Sequence, residues 1–230
     1  MTVVRVFNFD KPVQNVIAEN TRFKACTGFI VRHRGVRFVV TVAHGEIKAV
    51  ESVMAVRCQG QEIGTKIGKA RYVDVKHDIA VFAISDRYYT APTRLAERHD
   101  FTMGQTLASE GYSEELAPAL NLRDGGMFDG FVTMQCKVTG SAEMDYNESN
   151  ITDKKGIGCC CFHEVNSKHD FFIYHSDATL SYYDGLCGAP VFNDRREIVG
   201  MHCLGFGAYH GAVKLPHIQN AVVEARKRVK

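Results

Sequence analysis

Short runs of apolar and β-branched residues recur along most of this chain, and most of them are bounded by glycine, asparagine or aspartate. The stretch from Gly28 to Gly45 contains two such runs joined at Arg34-Gly35, a composition that predicts a tight hairpin. The same pattern predicts strands in VESVMAVRC, YVDVKHDIAVFAI, GMFDGFVTMQCKV, GIGCCCFHEV, DFFIYH, APVFNDRREIVGMHCLG and YHGAVKL. We therefore predict an all-β protein with more than one sheet.

Two segments near the ends of the chain have a helical pattern instead. They are residues 13–19 and residues 216–230, where Pro216 suits a first helical turn and the apolar residues repeat on one face. The polar span 85–100 contains a proline and several charges without a sustained period. We expect this span to connect two β units.

The composition of the 230 residues is that of an ordinary folded protein, with 45% hydrophobic residues, 23% charged residues and a net charge of +2. The first residues reach an acidic residue and a proline too early for an export signal, and no apolar run is long enough for a membrane span. Eight cysteines spread through such a chain favour reduced thiols. We expect no cofactor and no metal.

Three residues are candidates for chemistry. Cys187 lies in the glycine turn GLCGAP, where a tight turn can expose a nucleophile and leave backbone N–H groups free, although a buried structural cysteine is the common alternative. His44 ends an apolar strand and could act as a general base. Asp78 directly precedes an apolar strand and could orient the histidine ring.

Together the three segments resemble the motifs of chymotrypsin-like proteases. TVAHG is similar to the histidine motif, HDIAVF to the aspartate motif, and GLCGAP to the nucleophile motif with cysteine in place of serine. The order also matches, with 34 residues from His44 to Asp78 and 109 from Asp78 to Cys187. The resemblance implies a catalytic triad of these three residues.

The same resemblance implies a chymotrypsin-like double β-barrel with short N-terminal and C-terminal helices. Residues 1–90 would form the N-terminal helix and the first barrel, which carries the histidine and the aspartate. Residues 91–100 would form a connecting loop. Residues 101–230 would form the second barrel, with the cysteine nucleophile and the substrate pocket, and the C-terminal helix. The active site would lie in the cleft between the barrels.

The cysteine narrows the resemblance to the 3C and 3C-like proteases of positive-strand RNA viruses, whose pocket strand is similar to IVGMHCLGFG. In that family His202 would bind the side chain of a P1 glutamine or glutamate, and Gly205 belongs to the same strand. Tyr182 stands where a polar threonine is expected, five residues before the nucleophile. Thr179 or His175 could serve instead.

The resemblance also implies the mechanism and the setting. Cys187 would attack as a thiolate, with the N–H groups of Gly185 and Cys187 as the oxyanion hole. Asp74 and Glu51 compete with Asp78 for the third position. The substrate would be a viral polyprotein and the location the cytoplasm of the host cell, while the oligomeric state stays open.

A different class of function is a catalytically silent barrel protein that binds viral RNA. Cations for phosphate contacts are available at Lys11, Arg22, Lys24 and in the basic C-terminal run, although basic residues also suit a helix end. RNA binding could also be a second role of a protease. An acyltransferase or a cellular serine-type relative could use the same triad, but the Gly-Met-His pocket motif argues against both.

One cysteine-rich segment invites a metal site. Residues 159–161 are three consecutive cysteines, followed by His163 and His169, and thiolate with imidazole suits zinc. The paired C-x₂-C spacing of zinc sites is missing from this segment. A cysteine-rich barrel strand is therefore the favoured interpretation.

Overall fold

The computed structural model describes residues 3–8, 25–44, 54–58, 65–85, 92–98, 102–112, 131–141, 171–176, 185–206 and 209–229. These residues form thirteen strands followed by one helix. The strands make two curled sheets, so the predicted all-β fold class with a C-terminal helix is confirmed. The predicted helix at residues 13–19 and the predicted strand in GIGCCCFHEV lie outside the described residues.

The first sheet contains seven antiparallel strands. They are β1 (Val3–Asn8), β2 (Ala25–His33), β3 (Val36–Thr41), β4 (Met54–Cys58), β5 (Thr65–Gly68), β6 (Tyr72–Asp74) and β7 (Ile79–Ile84). Their order across the sheet is β5-β4-β1-β2-β3-β7-β6. Within the described residues, the predicted first barrel is thus a curled sheet with β5 and β6 at its edges.

The second sheet is a closed barrel of six antiparallel strands. They are β8 (Thr106–Tyr112), β9 (Phe131–Ser141), β10 (Phe171–Ser176), β11 (Pro190–Phe192), β12 (Ile198–Phe206) and β13 (Tyr209–Lys214). The barrel order is β10-β13-β12-β11-β8-β9. Closure removes the edge strands, which would otherwise expose unpaired backbone groups.

The hairpin between β2 and β3 has the predicted turn. Arg34 and Gly35 have φ values of 46° and 80°, which is the conformation of a two-residue turn that matches the twist of the strands. The turn fixes a register in which Gly28 faces Thr41 at the far end of the pair. That far end carries the candidate histidine, so the turn indirectly positions it.

Three strands have no counterpart in the predicted pattern: β1, β5 and β8. The residues of β8, TLASEGY, are weak strand formers, and pairing with β9 and β11 imposes the extended conformation. β1 pairs with both β2 and β4, and its residues VVRVFN include three valines, which are good strand formers. Tertiary pairing therefore decided β8, whereas β1 has a local strand signal that the prediction missed.

The helix α1 (Leu215–Lys227) begins close to the predicted start and ends with basic residues in its last turn. Ile218, Val222 and Ala225 form the predicted apolar face and are buried. They join one apolar core with residues of both sheets, among them Phe38 of β3 and Phe192 of β11. The described part of the chain contains no helix long and apolar enough to cross a membrane.

Residues 92–98 run between the two sheets. Thr93 makes a parallel bridge with Val31 of the first sheet, and Leu95 makes one with Ile198 of the second. This placement suits a connecting segment, whereas the predicted boundaries at 1–90, 91–100 and 101–230 stay a prediction.

Candidate active site

His44 follows the end of β3, where the apolar run leaves the sheet. Val42 and Ala43 are still buried, and they bring the backbone of His44 to the sheet's end. The His44 side chain is only 7% exposed, which is low for a charged or polar ring at a strand end. A buried imidazole needs a hydrogen-bonding partner, and the neighbouring turn supplies one.

That partner is Asp78, the last residue of the turn between β6 and β7. Its φ of 57° is a left-handed conformation that aspartate tolerates better than most residues. One carboxylate oxygen accepts hydrogen bonds from the N–H groups of Ala43 at 2.9 Å and His44 at 2.7 Å. The other oxygen lies 2.5 Å from Nδ1 of His44.

These contacts determine which ring nitrogen of His44 carries the proton. Because an ionised carboxylate only accepts, Nδ1 of His44 carries the proton in this pair, and Nε2 is the nitrogen that can act as a base. Asp78 also favours the imidazolium form electrostatically, since its carboxylate is buried beside the ring. The pair can therefore take a proton from a nucleophile.

The candidate nucleophile lies in the turn that precedes β11. Gly185 and Gly188 have φ values of 93° and 91°, which side chains rarely adopt, and they bend the backbone around Cys187. The turn is closed by the Ala189 N–H, which donates to the Leu186 carbonyl at 2.8 Å. The Cys187 side chain is buried, and its sulfur lies 3.6 Å from the carbonyl oxygen of Cys203.

The nucleophile turn is fixed from both sides. On the second barrel, Gly188 N–H donates to the His202 carbonyl at 2.7 Å, and His202 N–H donates to the Ala189 carbonyl at 2.8 Å. On the first sheet, Thr27 N–H donates to the Cys187 carbonyl at 2.9 Å. The turn therefore lies at the junction of the two sheets.

The same junction contains the strand that leads to His44. The Thr41 hydroxyl, three residues before His44, donates to the Thr27 carbonyl at 2.6 Å. A Cβ added to Gly188 would lie 2.6 Å from that hydroxyl oxygen and 1.9 Å from the Thr27 oxygen. Only glycine fits there, and its absence of a side chain lets the nucleophile turn approach β2 and β3.

His202 lies in β12, opposite Ala212 of β13, and is buried. Its ring lies 5.4 Å from the ring of His210, with an angle of 47° between the planes. Gly205 pairs with His210 further along the same ladder. Tyr182 and Thr179 lie outside the described residues, so the substrate-binding set is described only in part.

Of the two competing carboxylates, Glu51 lies outside the described residues. Asp74 binds a different histidine: its carboxylate lies 2.8 Å from Nδ1 of His77 and also accepts the His77 N–H at 3.1 Å. The ring of His77 stacks on that of His217 in α1 at 3.8 Å. Asp74 thus holds the His77 ring that stacks on α1, while Asp78 binds His44.

The cysteine-rich segment 159–161 and its two histidines lie outside the described residues. Among the residues that are described, no three metal-ligating side chains come together to hold an ion. Burial raises the pKa of the Cys136 thiol to about 12, so this barrel cysteine stays protonated at neutral pH. It is a structural thiol.

Thr27 is the residue at this site that the sequence did not indicate. It lies in β2, and its hydroxyl donates to the Gly185 carbonyl at 2.7 Å and accepts from the Tyr112 N–H at 2.9 Å. A threonine in a strand carries no local signal of such a role. The contact becomes visible only when the two sheets are assembled.

Comparisons with known proteins agree with this architecture. The family model described as trypsin-like peptidase domain matches residues 26–201. No curated protein matches the chain. The active form of the Rv3671c protease from M. tuberculosis has a TM-score of 0.61 at 13% identity, covering 97% of this chain and 80% of that one. The serine endoprotease from Yersinia pestis has a TM-score of 0.61 at 15% identity, covering 98% and 63%.

At these identities the solved structures show the fold alone, whereas the family match covers most of the chain, from β2 into β12. That range contains all three residues of the predicted triad. The family and the fold together support a proteolytic function on peptide substrates. The chain therefore belongs to the family of trypsin-like peptidase domains, with a chymotrypsin-like fold.

Proposed function

We propose that this protein is a cysteine endopeptidase with Cys187 as nucleophile, His44 as general base and Asp78 as the residue that orients the base. The observation that carries the proposal is the buried contact between the Asp78 carboxylate and Nδ1 of His44, at 2.5 Å, in the sheet that also binds the turn of Cys187 through the Thr27 N–H. The solved serine proteases have the same fold, and cysteine stands in the nucleophile turn of this chain.

The reaction follows from these groups. Nε2 of His44 takes the Cys187 thiol proton, and the sulfur forms a bond to the scissile carbonyl carbon. The N–H groups of Gly185 and Cys187 would stabilise the oxyanion. The protonated histidine then gives its proton to the leaving amine as the C–N bond breaks. Water, deprotonated by the same histidine, hydrolyses the thioester and restores the thiol.

For the substrate we propose a viral polyprotein cleaved after glutamine or glutamate, as in the 3C-like proteases that the motifs resemble. His202 would bind the P1 side chain, because it is a buried histidine on the strand that is hydrogen-bonded to the nucleophile turn. Gly205, Tyr182 and Thr179 complete the proposed pocket. The cytoplasm of an infected host cell is the corresponding location.

The test is cleavage of a peptide library varied at P1, followed by mass spectrometry. Wild type should cleave after Gln or Glu, Cys187→Ala should not cleave, and His202→Ala should lose the P1 preference. Cys136→Ala is the matched control, because it removes a buried thiol that is not part of the proposed triad. A folded wild-type chain that cleaves no library peptide would refute the proposal, and cleavage by Cys187→Ala would refute the nucleophile.

A second candidate function is RNA binding, either beside proteolysis or in its place, and one surface favours it. A groove of about 530 Å³ between β2, residues 92–95 and α1 is lined by Arg32, His33 and Arg94 together with apolar side chains such as Leu95 and Val222. The pKa of His33 is lowered first by burial and then by the nearby charges of Arg34 and Arg226, while Arg94 is ion-paired with Glu97.

A mobility-shift titration with single-stranded RNA at several salt concentrations tests this role. Arg32→Ala with Arg94→Ala should weaken binding and reduce the slope of the salt dependence by about one for each phosphate that the variant no longer neutralises. Lys137→Ala, at an exposed cation on β9, is the matched control. Salt-independent or undetectable binding by wild type would exclude the role. Residues Lys11, Arg22 and Lys24 lie outside the described residues.

A further inference from the structure

Every polar atom of Thr27 is hydrogen-bonded, and its N–H and hydroxyl group join the first sheet to the second barrel at the nucleophile turn. Its N–H donates to the Cys187 carbonyl at 2.9 Å, and its carbonyl accepts the Thr41 hydroxyl at 2.6 Å. Its hydroxyl donates to the Gly185 carbonyl at 2.7 Å and accepts from the Tyr112 N–H at 2.9 Å. The residue is completely buried, so water cannot replace these bonds at low cost.

The two carbonyls that Thr27 holds flank the proposed oxyanion donors. Gly185 and Cys187 each supply both a carbonyl that Thr27 binds and an N–H of the proposed oxyanion hole. In each residue only the Cα separates these two groups. Holding the carbonyls therefore restricts ψ at both residues. Gly185 has a φ of 93° and no side chain to limit its rotation, so its peptide needs an external contact to stay in one orientation.

The surroundings leave no room for the hydroxyl to move away. A Cβ added to Gly111 of β8 would lie 2.8 Å from the Thr27 hydroxyl oxygen, and one added to Gly188 would lie 1.9 Å from the Thr27 carbonyl oxygen. Thr27 is therefore packed between two backbone segments that approach it closely. Its hydroxyl connects the nucleophile turn to the start of the second barrel through Tyr112.

We propose that Thr27 is a positioning residue that holds the oxyanion-binding turn in its catalytic conformation. The inference rests on the proposed function, and it goes further by assigning the turn's geometry to one hydroxyl group outside the triad. Thr27 does not contact the reacting atoms. It acts through the Gly185–Leu186 and Cys187–Gly188 peptides, whose carbonyls it binds.

The test compares Thr27→Val, which keeps the shape and removes the hydroxyl, with Thr27→Ser, which keeps the hydroxyl. Loss of one oxyanion donor costs about 10²- to 10³-fold in kcat, and a donor that is present but poorly held should cost less. We expect Thr27→Val to lower kcat by about 10- to 100-fold with little change in KM, and Thr27→Ser to recover most of it. Thr106→Val, on an exposed position of β8, is the matched control.

A second readout separates positioning from general damage to the fold. Alkylation of Cys187 by iodoacetamide forms no oxyanion, so its rate should stay near the wild-type value in Thr27→Val. Acylation by a peptide substrate does form one and should slow. Equal loss in both reactions, or an unchanged kcat in the folded Thr27→Val protein, would overturn the inference.

Amide hydrogen exchange distinguishes this inference from the proposed function itself. If folded wild type cleaves nothing, the proposed function fails, and exchange still reports on the turn. The amides of Tyr112 and of residues 185–188 should exchange faster in Thr27→Val than in Thr27→Ser. Identical exchange in the two variants would overturn the positioning role, whatever the activity of the enzyme.

Discussion

Replacing Asp78 by asparagine removes one charge from the proposed triad and leaves the fold around it intact. The amide oxygen of the new side chain can still accept the N–H groups of Ala43 and His44, which now bond at 2.9 and 2.7 Å. Asparagine also tolerates the left-handed φ of 57° at this position. The change is therefore concentrated on the contact with the His44 ring.

At that contact an NH₂ group would face Nδ1 of His44, and the ring would have to carry its proton on Nε2, the nitrogen needed as the base. The charge-assisted hydrogen bond that disappears is worth about 1.5–3 kcal/mol. At about 1.4 kcal/mol for each factor of ten, this corresponds to roughly 10- to 150-fold in kcat/KM. The same change in a serine triad costs about 10⁴-fold, and a thiol, with its lower pKa, depends less on the base.

The assay is kcat/KM on a peptide cleaved by wild type, with circular dichroism and thermal unfolding to establish that the variant is folded. Asp74→Asn is the matched control, because Asp74 ends β6, directly before the turn that contains Asp78, and binds His77 instead. The control should retain activity to within about threefold. The reasoning would be refuted if folded Asp78→Asn kept wild-type activity, or if Asp74→Asn lost as much.

Three further predictions concern stability and thiol reactivity. Gly188→Ala should lower the free energy of unfolding by more than the about 1–2 kcal/mol of its left-handed φ, because its Cβ would lie 1.9 Å from a backbone oxygen of β2. A urea titration measures this loss, and Gly104→Ala is the control, because Gly104 has a φ of 78° and open space where a Cβ would lie. The control should lower the free energy of unfolding only by the conformational part, without the steric part. Cys136, with its pKa raised by burial from 9.0 to about 12, should resist alkylation at neutral pH in the native protein, while the thiol of the nucleophile turn reacts. Modification of Cys136 at the same rate as the thiol of the nucleophile turn would contradict its burial. Because the Cys136 thiol ionises at a lower pH in the unfolded chain, its contribution to the free energy of unfolding should stay constant below pH 9.0. That contribution should fall as the pH rises towards 12. Glu110→Gln should lower stability by about 1–3 kcal/mol in thermal unfolding, since the buried carboxylate binds Arg196 with both oxygens, and an unchanged melting temperature would count against the ion pair.

Local patterns in the sequence were sufficient to predict those elements whose conformation depends on their own residues. The dipeptide Arg34-Gly35 predicted the hairpin because the turn needs positive φ at two successive residues. The apolar repeat through Ile218 and Val222 predicted the face that α1 buries. The three short motifs resemble those of chymotrypsin-like proteases, and this resemblance implied the chymotrypsin-like fold that the family match supports.

Other features depend on partners that are distant in sequence. The weak strand former β8 became a strand because β9 and β11 pair with it. The sequence left Asp74 and Asp78 as competitors for one role. The left-handed φ of Asp78 turns its carboxylate to His44, and Asp74 is occupied by His77.

The sequence by itself determined the fold class, the hairpin and terminal helix, and which residue types are available for chemistry at His44, Asp78 and Cys187. The tertiary structure decided how these residues are held. Thr27 contacts a turn 158 residues away, and no local pattern can encode that contact. It exists because two separate sheets pack against each other with glycines at the points of closest approach.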